Sequence, residues 1–318
     1  MISLVTGANG FIGRRLIRPN DRGLLRQVSS QPNAVYGDLL DPISLAAACE
    51  GCETVFHCAG YAHAFTSSDP NAHWRINFEG TRNLLLAAGN AGVKRFVFLS
   101  SVKAMPDPGG DCVDENWLGE PDTQYGKAKR AAEEAVLEAG LKYSMDVVIL
   151  RLAMVYGRGG RGNFERMARL IRTGWFPPLP ETGNRRSLVH VDDVVAAMRL
   201  VADAPLASGK TYIVADSRAY SGREIYDEIR VCFNESAVSS LGERALQVPA
   251  GLFRAGDVIG DMLEKVLRRS LPLNSKAVSR LLDSACYCPA KIERELGWRA
   301  QKIFHDGLRE ILSNEAST

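Results

Sequence analysis

The chain has 318 residues, 46% of them hydrophobic and 24% charged, with a formal net charge of +2. That length can bury a large core, as one big α/β domain or as a large domain with a smaller one. The mild basic balance, with no block of five or more Lys/Arg, excludes a nucleic-acid reader, and no apolar run approaches the roughly 18 residues of a transmembrane helix.

Met1 leads straight into an apolar strand with no charged n-region or cleavage site, so no secretory leader is expected. Seven cysteines, an odd number in a long chain, read as free thiols in a reducing cytoplasm. Cys49 and Cys52 spell CxxC, but no second pair stands at zinc spacing and no metal site is expected.

Strand-like and helix-like patterns alternate through the first half. Residues 2–6 form an apolar strand ending in glycines, 24–28 a weak second strand and 34–36 a third. Asp41-Pro42 opens a helix, with Asp as N-cap and Pro at the first helical position. Residues 54–58 make a fourth strand, and 74–91 carry helical apolar spacing. Residues 95–99 are continuously apolar from Phe96 to Leu99, as in a parallel strand buried on both faces. A helix over 124–139 and a sixth strand over 146–150 follow. The alternation predicts a Rossmann-like, doubly wound parallel sheet over residues 1–150. Residues 151–318 are expected to form a smaller substrate-binding part, with the chain crossing between the two more than once. That part has a Gly/Arg loop at 157–162, a Pro-rich turn at 175–180, a capping box at Ser221–Glu224 and a basic amphipathic helix over 252–269.

Gly7-Ala8-Asn9-Gly10-Phe11-Ile12-Gly13 directly follows the first strand. Glycines there permit a tight turn and close approach of backbone to a pyrophosphate, and a following helix N-terminus attracts negative charge. The site is therefore expected to bind a dinucleotide. No Asp or Glu closes the second strand, where NAD specificity uses a carboxylate on the ribose 2′-hydroxyl. Its absence removes repulsion of a 2′-phosphate, with Ser29, Ser30, Arg26 or Arg14 as receivers, and the reading leans to NADP over NAD.

Tyr125 and Lys129 stand four residues apart, on one face of the predicted helix. A nearby ammonium stabilises phenolate, and lowering a tyrosine by three units needs about 4 kcal/mol. Lys129 is placed to supply part of that.

In combination, T-G-x-x-G-x-x-G, Ser100-Ser101 and Y-x-x-x-K resemble the extended branch of the short-chain dehydrogenase/reductase superfamily, the epimerase/dehydratase family. The resemblance covers most of the chain. It implies that Asp38 and Leu39 lie at the adenine, that Ala59 and Gly60 form a turn beside the cofactor, and that Asn77 of Asn77-Phe-Glu-Gly80-Thr81 approaches it. It also implies catalysis by Ser101, Tyr125 and Lys129, with Ser100 the alternative serine by one register. Tyr125 would give its proton to a carbonyl oxygen, Ser101 would orient that oxygen, and Lys129 would hold the ribose hydroxyls.

Arg185-Arg186-Ser187-Leu188-Val189-His190-Val191-Asp192 is similar to the R-x-x-x-H-V-x-D motif of nucleotide-sugar epimerases and reductases, which implies that Arg186 grips a diphosphate. Asn163 resembles the segment that covers the uracil, while Met154 stands where related epimerases carry Asn. Val102-Lys103 after the serine replaces the Asp-Glu of the 4,6-dehydratases, which removes dehydration. The first expectation is a 4-reductase of UDP-4-keto-6-deoxy-N-acetylhexosamines, as in bacterial surface-polysaccharide synthesis. The alternatives are a UDP-hexose 4-epimerase with tightly bound NAD and, in another class, a non-catalytic dinucleotide-sensing regulator. A homodimer is also compatible with the resemblance.

Overall fold

A computed structural model of the chain describes residues 2–27, 33–61, 69, 71–160, 167–168, 170–171, 178–236 and 282–312. Its strands are β1 (Ser3–Thr6), β2 (Arg22–Leu25), β3 (Ala34–Tyr36), β4 (Thr54–His57), β5 (Arg95–Ser101), β6 (Cys112–Val113), β7 (Asp146–Leu152), β8 (Met154–Tyr156), β9 (Arg186–His190), β10 (Lys210–Val214), β11 (Ala219–Tyr220) and β12 (Cys286–Tyr287). The helices are α1 (Gly13–Leu16), α2 (Pro42–Cys49), α3 (Gly80–Asn90), α4 (Gln124–Tyr143), α5 (Val191–Asp203), α6 (Gly222–Ser236), α7 (Ala290–Leu296) and α8 (Phe304–Leu312).

Seven strands form one sheet in the order β10-β7-β5-β4-β1-β2-β3, and every neighbouring pair is parallel. This is the expected Rossmann-like, doubly wound α/β fold. The apolar runs of β5 and β7 have a simple cause. Alternate residues point to opposite faces, and both faces are covered. Phe96, Phe98, Val147 and Ile149 pack with Leu84, Ala132 and Val136 of α3 and α4. Val97, Leu99, Val148 and Leu150 pack on the other face with Val194, Met198 and Val201 of α5. A third cluster joins Tyr156 and Leu188 to Ile225, Ile229, Phe304 and Leu308 of α6 and α8. A small sheet of β11, β9 and β8 carries Arg186 at the start of its central strand. Positions 150 and 151 fall inside β7. No helix among the described residues is long and apolar enough to cross a membrane.

Several local expectations need correction. The second strand starts and ends earlier than 24–28. Leu4 of β1 pairs with Arg22, and the Arg22 guanidinium donates to the carbonyls of Ala48 and Glu50 at the end of α2. The helix expected over 74–91 begins as a π-helical turn at Trp74–Glu79 before α3. Such a widened turn occurs where a side chain is needed out of α-register. The helix after the glycine loop is one turn long, so dipole focusing there is weaker than expected. The cysteines are not all free: Cys112 and Cys286 form a disulfide. These residues lie 174 positions apart, and parallel pairing of β6 with β12 sets their Cα atoms 4.5 Å apart. Cys49, Cys52, Cys58, Cys232 and Cys288 remain thiols among the described residues. The capping box is present, Glu224 accepting from Ser221 N and Ser221 Oγ from Glu224 N. The amphipathic stretch 252–269 lies outside the described residues.

Candidate active site

The strand order reverses between β1 and β4, and ligands of open α/β sheets bind at the carboxyl ends of such a switch point. Here the glycine turn is seated against β4. Gly7 has φ +66°, and a Cβ on it would lie 2.9 Å from the Ala59 Cα. A Cβ on Gly13 would come within 2.2 Å of the Gly7 carbonyl oxygen. Gly10 N donates to that same oxygen at 2.8 Å. The turn opens on a cleft of about 1070 Å³ lined by Gly7, Asn9, Gly10, Asp38, Leu39, Ala59 and Gly60. A bare-backbone cradle above a cleft of this size fits a dinucleotide. Ile12 packs on the core below the turn and the Phe11 ring lies under the Arg15 guanidinium, so these two offer a ligand backbone rather than side chain.

Gly10→Val tests the cradle. A Cβ on Gly10 already meets the Gly7 oxygen at 2.9 Å, so a branched side chain forces the turn open. Cofactor binding, followed by fluorescence titration, is expected to be lost while circular dichroism stays near wild type. Unchanged affinity would remove the turn from the binding site.

Arg26 and Gln27 line the cleft just past the end of β2. Arg14 does not reach it. Its guanidinium donates to the carbonyls of Arg158 and Gly159, tying the glycine turn to the next glycine loop. Ser29, Ser30 and Asn163 lie outside the described residues.

Behind the turn runs a buried polar chain that sequence reading missed. Thr6 Oγ1 and His57 Nδ1 are 2.7 Å apart, and His57 Nε2 and Thr81 Oγ1 are 2.9 Å apart. Thr81 Oγ1 donates to the Asn77 carbonyl, and Ala59 N donates to Thr6 Oγ1. Burial, with Lys129 nearby, pushes the His57 imidazole down to about 3, so it stays neutral and serves as a connector. Asn77 emerges from the π-helical turn and grips Tyr61 at both backbone atoms, accepting from its N at 2.7 Å and donating to its O at 2.9 Å. It thereby fixes the turn containing Ala59 and Gly60.

At the end of β5 the two serines separate. Ser100 Oγ donates to Glu133 at 2.5 Å, inside a buried network in which Arg151 makes a forked pair with the same carboxylate. Ser101 is partly exposed, accepts from Lys103 N at 3.2 Å and lies close enough to Tyr125 to pull its hydroxyl down. Thr123 caps α4 by accepting from Gly126 N, which fixes Tyr125 in the first turn. Burial holds the Tyr125 hydroxyl above its usual range, and Ser101 opposes that. The lowering expected from Lys129 is not seen. Its ammonium donates to the Leu99 carbonyl at 2.8 Å and sits 4.6 Å from the Phe98 ring centroid. Burial pushes Lys129 down to about 8, against the opposing pull of Glu133. A Cβ on Gly60 would lie 3.6 Å from the Lys129 ammonium and 3.1 Å from Asn77 Oδ1, so these groups converge on one floor of the cleft.

Arg186 donates to the Asp283 carbonyl at 2.8 Å. Asp192, six residues on, faces Arg15 at 3.4 Å and His190 at 3.7 Å. His190 is buried, accepts from Asp192 N at the start of α5 and packs edge-on against Tyr156, a structural role.

Known proteins resemble this chain in sequence and in fold. The pattern of the NAD dependent epimerase/dehydratase family matches residues 3–215. A UDP-glucose 4-epimerase of Vibrio cholerae is 28% identical, over 96% of this chain and 93% of its own. Among solved structures, MoeE5 in complex with UDP-glucose and NAD superposes with a TM-score of 0.75 at 23% identity, covering all of both chains. The RMD protein of Pseudomonas aeruginosa complexed with NADPH does so with a TM-score of 0.71 at 22% identity, over 99% of each. The family pattern spans the chain from β1 to the end of β10, and so takes in the glycine turn, both serines, Tyr125 and Lys129: this chain belongs to the NAD dependent epimerase/dehydratase family and is an enzyme of the extended short-chain dehydrogenase type.

Proposed function

We propose that this enzyme reduces the C4 ketone of a UDP-4-keto-6-deoxy-N-acetylhexosamine, a reaction of surface-polysaccharide synthesis. The observation that carries the reading is the placement of Ser101, at the partly exposed end of β5, near Tyr125 in the first turn of α4, with Lys129 reaching the Gly60 wall of the glycine-turn cleft. A nicotinamide dinucleotide held there supplies the hydride. Tyr125 keeps its proton at neutral pH, as any phenol titrating near 10 does and as burial reinforces, and hands that proton to the carbonyl oxygen. Ser101 donates to the same oxygen and fixes its place next to Tyr125. Lys129, anchored by Leu99 O, presents its ammonium to the ribose hydroxyls. Asn9 and Gly10 would hold the pyrophosphate, and Asp38 and Leu39 the adenine, all four lining the cleft. Arg26, on the cleft wall where an NAD enzyme carries a carboxylate, favours NADP.

Val102-Lys103 after the serine favours reduction over dehydration. A second reading, a UDP-hexose 4-epimerase that regenerates its NAD each cycle, is favoured by the Vibrio cholerae relative. The discriminating experiment supplies UDP-4-keto sugars with NADH or NADPH and follows the absorbance of the reduced nicotinamide. Net consumption supports the reductase. Interconversion of UDP-hexoses with no net redox change supports the epimerase.

Arg186 is assigned to the diphosphate of the substrate. A charge-assisted forked pair contributes roughly 1.5–3 kcal/mol. Arg186→Ala is therefore expected to raise KM about tenfold to a hundredfold, with a smaller fall in turnover at saturation. Arg186→Lys should rescue only partly, since a point charge cannot reproduce the fork. Melting temperature measured beside KM separates a binding role from a structural one. An unchanged KM would favour a substrate without phosphates.

A further inference from the structure

We propose that Glu228, Cys232 and His305 form a binding site for a zinc-type divalent cation that pins helix α6 to helix α8, away from the glycine-turn cleft. Glu228 and Cys232 are four residues apart on α6, so both side chains leave the same face. His305 lies in the first turn of α8. One ligand atom from each, a carboxylate oxygen, a thiol sulfur and an imidazole nitrogen, lie within 4.8 Å of one another. Cys232 Sγ is 3.6 Å from His305 Nδ1, and Glu228 Oε1 is 2.5 Å from the same nitrogen.

These distances suit a tetrahedral ion. Zn–S near 2.3 Å and Zn–N near 2.0 Å place sulfur and nitrogen about 3.5 Å apart. The carboxylate need only draw back by less than about 1 Å to take its own corner. A mixed thiolate, imidazole and carboxylate set selects zinc over magnesium or calcium, which require all-oxygen shells. Cys232 lies outside the disulfide and is fully buried. The side chains of His305 and Glu228 retain 28% and 34% of their exposure, which leaves an entry path from that side. On binding, the thiol proton leaves to solvent and the imidazole proton moves from Nδ1 to Nε2, which frees both ligand atoms. Water fills the fourth position.

A second group of the same kind, His190, Asp192 and Glu310, is already neutralised by Arg15 and Lys302 and holds no such promise. The Glu228 site was invisible in the sequence because its ligands span 77 residues.

The test uses the full chain, stripped with chelator and titrated with Zn²⁺ and separately with Co²⁺. One equivalent of Zn²⁺ is expected to bind and to raise the melting temperature. Co²⁺ should give a thiolate-to-metal charge-transfer band in the near ultraviolet. Cys232→Ser should abolish that band. His305→Gln and Glu228→Gln should weaken Zn²⁺ by more than the roughly 10–100-fold that loss of an outer-shell partner costs. Should Cys232→Ser fail to fold, the two Gln variants decide alone. Zn²⁺ uptake that is absent, or equal in wild type and these variants, overturns the proposal. So does a cobalt band that vanishes in Cys49→Ser, because the metal would then sit at the Cys49–Cys52 pair.

Discussion

Tyr125→Phe is expected to lower turnover by on the order of a hundredfold or more while leaving cofactor affinity nearly unchanged. The substitution keeps the ring, and with it the packing against His73, whose ring centroid lies 5.6 Å away. It removes only the hydroxyl, on which burial and Ser101 act in opposite directions. Stopped-flow rates with cofactor titration on the same preparation separate the two effects. Turnover near wild type would take Tyr125 out of the mechanism. The pH dependence follows from the direction of the shift. Tyr125 is raised above its usual value near 10, so its acid form persists through neutral pH. Reduction, which needs the phenol, should be flat with respect to this group below that value and fall above it. Alcohol oxidation, which needs the phenolate, should rise in the same window.

The first half of the fold was legible because its strands are buried on both faces. Phe96 to Leu99 and Val147 to Leu150 could be apolar throughout only in a sheet with helices on both sides. The glycine turn was legible for a different reason. Positions where a Cβ would meet backbone at 2.2–2.9 Å must be glycine, and three of them in seven residues leave a visible trace. The second half is built otherwise. β8, β9 and β11 are short, and what specifies them is pairing with distant chain, such as Ser187 N with Ala285 O. The disulfide shares this character, its partners being separated by most of the substrate part. Within the site, the choice of serine was open to parity. Ser100 alternates with Phe96 and Phe98, whose face is covered by α4, and Glu133 of α4 is what it meets. Ser101 shares the parity of Val97 and Leu99 and is released at the strand end. What no local pattern carried was the electrostatics. A lysine four residues from a tyrosine suggested a lowered phenol, whereas Lys129 turns to Leu99 and burial governs Tyr125.

Glu133→Ala is expected to be among the most destabilising single changes in the chain, at roughly 3–5 kcal/mol, because it leaves a buried charge uncompensated. Glu133 and Arg151 keep only 3% and 7% of their exposure, and their shortest contact is 2.7 Å. Removing the carboxylate also strands the Ser100 hydroxyl, whose partner it is. Among the described residues, Arg151 would retain its long bond to the Glu115 carbonyl at 3.3 Å. The prediction has a built-in control. Replacing both partners by apolar groups of similar volume, as Glu133→Leu with Arg151→Met, should recover the part of the loss that comes from the orphaned Arg151, while Ser100, Arg130 and Lys129 still lose the carboxylate. Chemical denaturation of wild type, single and double variants measures this directly. A single variant as stable as wild type would mean that water reaches Arg151. A double variant no better than the single would mean that the pair itself, rather than relief of an orphaned charge, holds α4 on β5 and β7. The consequence for catalysis runs through the same contact. Glu133 fixes Ser100, and Ser100 precedes Ser101 on a strand whose register is set by pairing with Arg151 and Leu152. Turnover in Glu133→Ala should therefore fall more steeply with temperature than in wild type, as the strand end loosens before the global transition.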